Sequence, residues 1–157
     1  MLAIEAEPQA AARIQRNADL NGFGSLIRTI QCGLSDRTEV LSLGVHTTGN
    51  RGGSSFLLEG THTVKVQCYP LFDVLQKEGI GAIDGMKIDI ESMEFRVLAR
   101  FFKDAPKTLW PGFIILEYFS ENDKAAGGSS LQLVLEQGYR IIQKTGYNYM
   151  LLRSSAE

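Results

Sequence analysis

Four short apolar runs in this chain end in, or lead straight to, an acidic residue. "LAIE" ends at Glu5, "SLIRTIQC" is followed by Asp36, "MKIDI" closes on Asp89 and Glu91, and "FIILE" ends at Glu117. Between most of these strand-like runs lie segments with helical spacing. Strand and helix in alternation predict an α/β fold with a mostly parallel sheet and helices on both faces. In open sheets of that kind, ligands bind outside the carboxyl ends of the strands. The five acids are therefore expected to line one ligand-binding rim.

The helical segments carry their own signals. Pro8 fits a first helical turn, where its missing N–H costs nothing, and Ala11, Ile14 and Ala18 recur on one face. "PLFDVLQKEG" predicts a short helix with Gly79 past its end. "SMEFRVLARFF" predicts an amphipathic helix with Met93, Val97 and Phe101 inward. "SSLQLVLEQG" predicts another, with Leu131, Val134 and Leu135 inward. "EVLSLGV" and "TVKVQC" alternate in period two and predict half-buried strands. "GFIILEYF" is the most apolar strand and is expected at the centre of the sheet. "YRIIQKTGYNYMLLR" predicts a terminal hairpin that adds an antiparallel edge. The Gly- and Ser-rich stretch from His46 to His62 predicts a surface loop. There is no internal repeat and no linker, so residues 1–157 read as a single domain.

Charge and composition exclude several classes. The formal net charge is −2 and the basic residues are scattered, so neither nucleic acid nor an anionic membrane surface is an expected partner. The longest apolar run, "FIIL", is far short of the ~18 residues of a membrane span. No secretory signal pattern opens the chain. The two cysteines, Cys32 and Cys68, read as buried thiols of a reducing compartment, and the expected location is cytoplasmic. His46 and His62 sit in polar sequence, without metal-ligand spacing, and no metal site is expected.

The acids admit specific chemistry. A carboxylate after the second strand of a nucleotide-binding βαβ unit can accept from both ribose hydroxyls, and Glu5 has that position. Such a unit carries its Gly-rich loop about 20 residues earlier, whereas four residues precede Glu5. "NRGGSS" does not replace that loop, because it does not join a buried strand to a helix. Asp89 and Glu91, two apart, point to the same face unless the strand has already ended. Close carboxylates can serve as general base and charge anchor, can ligate a divalent cation, or can cap the helix starting near Ser92.

"LAIEAEPQAAARIQRNADLNG", "CGLSDRTEVLSL", "GGSS", "MKIDIESMEFRVL" and "FIILEYF", in this order and spacing, resemble the FkbM-type methyltransferases. The resemblance runs from Leu2 to about Arg153. It implies a Rossmann-like, doubly wound methyltransferase sheet and S-adenosylmethionine as cofactor. The implied reaction is O-methylation of a small-molecule or sugar hydroxyl. It implies further that Glu5 binds the ribose, that Ser35 and Asp36 form the turn beside the adenine, and that Asp89 and Glu91 lie beside the methyl-transfer centre. Asp89 is the first candidate for the base that takes the hydroxyl proton, and Glu91 the second. Two departures stand out. Ser92 occupies a place where the family usually has Gly, and the family's first strand with its Gly-rich turn has no counterpart before Met1.

The domain is therefore expected to be N-terminally incomplete. The chain is a fragment of a longer reading frame, or it folds by closing the gap, or another chain supplies the strand. A rival reading is a non-catalytic binding or assembly module without cofactor. Another nucleotide-binding α/β enzyme, such as a dehydrogenase, needs the same absent loop and lacks the family match.

Overall fold

The structure, a computed structural model, describes residues 1–45, 56, 62–118 and 127–154. The stretch around "NRGGSS", His46 and the segment from Phe119 to Ala126 lie outside the described residues. The chain divides into two compact units, Met1–Tyr69 and Pro70–Glu157.

In the first unit, strand β1 (Leu2–Glu5) leads into helix α1 (Pro8–Leu20) and then into β2 (Arg28–Gln31). β1 and β2 pair in parallel, Leu2 opposite Arg28 and Glu5 opposite Gln31. Pro8 does open the helix, and Glu7 caps it by accepting from the backbone N–H groups of Gln9 (3.2 Å) and Ala10 (2.9 Å). Arg13 reaches back to the same Glu7 carboxylate at 3.5 Å. β3 (Gly33–Leu34), β4 (Glu39–Gly44) and β5 (Thr63–Tyr69) form a second sheet with β5 between the other two. The two alternating segments pair antiparallel, as half-buried strands commonly do. Their inward residues Leu43, Val66 and Cys68 make a small core, joined by Leu41, Val45 and Phe56. Gly33 allows the closest approach there, because a Cβ at that position would run into the Cys68 sulfur and the Phe56 ring. Cys32 and Cys68 are both buried free thiols.

The second unit holds α2 (Leu71–Lys77), β6 (Gly85–Ile88), α3 (Glu94–Asp104), a 3-10 turn at Lys107–Leu109, β7 (Phe113–Glu117), α4 (Ser130–Glu136), β8 (Tyr139–Thr145) and β9 (Asn148–Arg153). The strands run β6-β7-β9-β8 across one sheet, so "FIILE" is internal as its apolar character predicts. Ile114, Leu116 and Leu151 are fully buried on one face. α3 contributes Val97, Leu98 and Phe101, all fully buried, and packs on α2 and α4. Val134 of α4 is fully buried, whereas Leu131 and Leu135 are partly covered. At the amino end of β7, the Phe102 and Trp110 rings meet edge to face at 4.8 Å. There the Tyr139 hydroxyl donates to the Pro111 carbonyl at 2.6 Å, and burial pushes that phenol up to about 12. The β8–β9 turn is two residues long, with Gly146 at φ +56°, a conformation open to Gly at little cost.

The protein is thus a mixed α/β structure. The expectation of one mostly parallel sheet needs correction. Among the described residues the ladders form three sheets, with three parallel and three antiparallel strand pairs. The reason is local: a continuous doubly wound sheet needs a central strand with a ladder on each side, while β1 and β6 have one ladder each. No helix among the described residues is long and apolar enough to cross a membrane.

Glu7→Ala should expose this dependence on capping. Two backbone N–H groups of the first turn of α1 lose their acceptor, and stability measured by urea unfolding is expected to fall by about 1–2 kcal/mol.

Candidate active site

β6 and β7 run parallel, with Lys87 opposite Ile115 and Ile88 opposite Leu116. One residue further, this register brings Asp89 level with Glu117 at the carboxyl ends of the two strands. The Lys87 ammonium lies 2.7 Å from the Asp89 carboxylate, and the Asp89 and Glu117 carboxyl groups are near enough to act on each other's protonation. Glu91 is near enough for its charge to act on Glu117.

Electrostatics follow from that arrangement. Burial, then the hydrogen bond to Asp89, then the charges of Asp89 and Glu91 push the Glu117 carboxyl up to about 7, against the pull of Lys87. Asp89 lies below the usual aspartate range. Burial works to raise it, but the Glu117 hydrogen bond and the bond to and charge of Lys87 outweigh that effect. Two carboxyl groups in hydrogen-bond contact need a proton between them, and these opposed directions assign it to Glu117 below about pH 7.

The loop after β6 is held in an unusual conformation. The strand ends at Ile88, so the period-two rule for Asp89 and Glu91 does not apply. Glu91 and Ser92 have φ of +53° and +79°. Both lie in the left-handed region that non-Gly residues seldom adopt. The buried Glu94, first residue of α3, accepts from the Ile90 N–H at 2.6 Å and ties the loop down. Met93 is the N-cap residue and has no side-chain capping bond, so neither Asp89 nor Glu91 holds the capping position.

In the first unit, Glu5 ends β1, and one of its carboxylate oxygens accepts from the Glu7 N–H at 2.8 Å. Ser35, fully buried, follows β3. Its hydroxyl lies 2.6 Å from a Glu39 oxygen and 3.2 Å from an Asp36 oxygen, and its N–H donates to the Tyr69 carbonyl. Arg37 pairs with the other Glu39 oxygen at 3.1 Å. His62 is exposed. No cluster of three or more His, Cys, Asp or Glu side chains suited to a metal ion occurs among the described residues.

The structure therefore gathers Asp89, Glu91 and Glu117 in one unit, and Ser35 and Asp36 in the other, where Glu5 also lies. The sequence reading gave Glu117 no role beyond the rim. It overlooked Glu7, Glu39 and Glu94 altogether. The four-residue step from Ser35 to Glu39 and the acid directly before Pro8 were signals for two of them.

A mixed α/β scaffold with acids at the carboxyl ends of adjacent parallel strands belongs to the class of folds in which ligands bind at that end of the sheet. Within that class, the sequence profile described as the Methyltransferase FkbM domain matches residues 1–141, and the chain belongs to that family. A crystal structure titled methyltransferase FkbM, from Methylobacillus flagellatus KT, is similar at 16% identity with a TM-score of 0.49. The similarity covers 96% of this chain, and the chain spans 35% of that protein. No curated protein matches the chain.

Two measurements check the local reading. Ser92→Gly removes a left-handed non-Gly residue and is expected to stabilise the protein by about 0.5–1 kcal/mol in urea unfolding, after the entropy that Gly adds to the unfolded chain. Because Glu117 binds its proton more tightly folded than unfolded, its contribution is complete below the ordinary value of 4.5 and is lost as pH rises through about 7. The thermal midpoint should decline across that window, and Glu117→Gln should flatten the decline.

Proposed function

We propose that this chain belongs to a Rossmann-like, doubly wound methyltransferase domain that uses S-adenosylmethionine to O-methylate a hydroxyl of a small molecule or glycan. Both compact units are parts of that one domain. The observation that carries the proposal is the Asp89–Glu117 carboxyl pair with Lys87 beside it, in a chain whose family is the FkbM methyltransferases. The buried free thiols of Cys32 and Cys68 support a reducing, cytoplasmic setting.

The residues present suit the cofactor in a graded way. Glu5 stands at a strand end with one oxygen already fixed by the Glu7 N–H, which orients the carboxylate for the two ribose hydroxyls. Asp36 suits the adenine side. The Ser35 hydroxyl is fully buried and engaged by Glu39, so Ser35 would steady that turn rather than touch the ligand. S-adenosylmethionine, when bound, supplies an activated methyl group. The chain's own task is then to align the acceptor hydroxyl and receive its proton. Asp89 fits that task best: its side chain is a third exposed, it is held by Lys87, and its low position keeps it ionised at neutral pH. Glu91 is the second candidate.

Calorimetric titration with S-adenosylmethionine tests the reading. Binding is expected, weakened about tenfold or more by Glu5→Ala through the loss of charged hydrogen bonds. Asp89→Asn should leave that binding intact and lower methyl transfer to hydroxyl acceptors by about 10²–10⁴-fold. A folded, monodisperse sample that gives no heat favours the non-catalytic assembly module instead.

A further inference from the structure

We infer that Glu117 is the positioning residue for Asp89: its carboxyl holds the one proton shared by the pair and donates it to the Asp89 carboxylate, fixing that group between Glu117 and Lys87. The inference deepens the methyltransferase reading, on which only its consequence for turnover rests.

Geometry carries the argument. β6 and β7 are adjacent and parallel, and their last ladder pair, Ile88 opposite Leu116, leaves Asp89 and Glu117 as the next residue on each strand. Carboxylate oxygens only accept hydrogen bonds, so a carboxyl–carboxyl bond exists only while one partner is protonated. The ammonium of Lys87 lies on Asp89, which makes Asp89 the cheaper site for the negative charge. Glu117 has the opposite surroundings. It is partly buried, Asp89 and Glu91 act on it from the β6 side and outweigh the pull of Lys87, and the residue opposite it on β9 is the uncharged Asn148. The proton therefore resides on Glu117. The direction of both titrations agrees with that assignment.

The pairing has a function that a lone aspartate would lack. A single Asp89 held only by Lys87 rotates about a flexible side chain, since Lys is a point charge without directional preference. A second, directional bond from Glu117 fixes the plane of the carboxylate and leaves its remaining lone pairs for the acceptor hydroxyl. Loss of the Glu117 proton replaces that bond with repulsion between like charges. The site is thereby ordered at and below neutral pH and loosened above it.

Carboxyl-carbon NMR titration of the intact chain, of Glu117→Gln and of Glu117→Ala tests this without requiring turnover. Glu117 should titrate near 7, and Asp89 below the usual aspartate range. The Gln side chain still donates, so Asp89 should stay low in Glu117→Gln. The Ala side chain donates nothing, so Asp89 should rise toward its ordinary range in Glu117→Ala. An Asp89 titration that is the same in all three proteins, or a Glu117 that titrates like an exposed glutamate, overturns the inference. If the titrations come out as expected but S-adenosylmethionine gives no heat, the pair stands and the methyltransferase reading falls.

Discussion

The parallel ladder between β6 and β7 is the constraint on which the candidate site depends. Ile88 and Leu116 are paired in it, and with Ile114 they are buried. A slip of one residue would turn those side chains to the other face, at a cost of about 1.5–3 kcal/mol for each large apolar group exposed. The apolar residues thus fix the register, and the register fixes the acids. Asp89 and Glu117 meet because the residues just before them are buried, not because carboxyl groups attract one another. The meeting of the pair is thus a by-product of packing on the strand side, with the loop that begins at Asp89 completing it.

The loop that follows β6 works against local preference. Two consecutive non-Gly residues, Glu91 and Ser92, sit at positive φ, each costing on the order of 1–3 kcal/mol. Tertiary structure offsets that cost on both sides. Met93, Val97, Leu98 and Phe101 anchor the helix that follows, and the Glu94 carboxylate binds the Ile90 N–H within the loop. Strain held between two well-packed elements is a common feature of sites where a side chain must be presented at one angle.

Much of the fold was legible because period and punctuation agree with burial. The helix α3, the internal strand "FIILE", the terminal hairpin with its Gly turn and the two alternating half-buried strands all follow from spacing alone. Sheet continuity was not legible, since no sequence period reports which strands share a ladder. The edge character of β1 and β6 emerges only from pairing. Of the site, the acids at strand ends could be located by position, but not their partners. Glu39 and Glu94 each act four residues away along the chain, across a turn whose shape the sequence does not display. The contact between Asp89 and Glu117, separated by a whole helix, belongs to tertiary structure entirely.

The acids of the two units show how position decides what a carboxylate does. In the first unit they meet donors: Glu7 takes two helix N–H groups, Glu5 takes the N–H of Glu7, and Glu39 takes the Ser35 hydroxyl and Arg37. Those arrangements satisfy the carboxylate and are explained by local structure. In the second unit, Asp89 and Glu117 meet each other, which is a conflict unless a proton is held between them. A fold selected only for stability would relieve that conflict with a neutral side chain at either position, since one amide would supply the missing donor without titrating. Retaining two acids forces one of them to titrate close to neutrality. That acid is Glu117, and its proton is what lets Asp89 stay ionised beside Lys87.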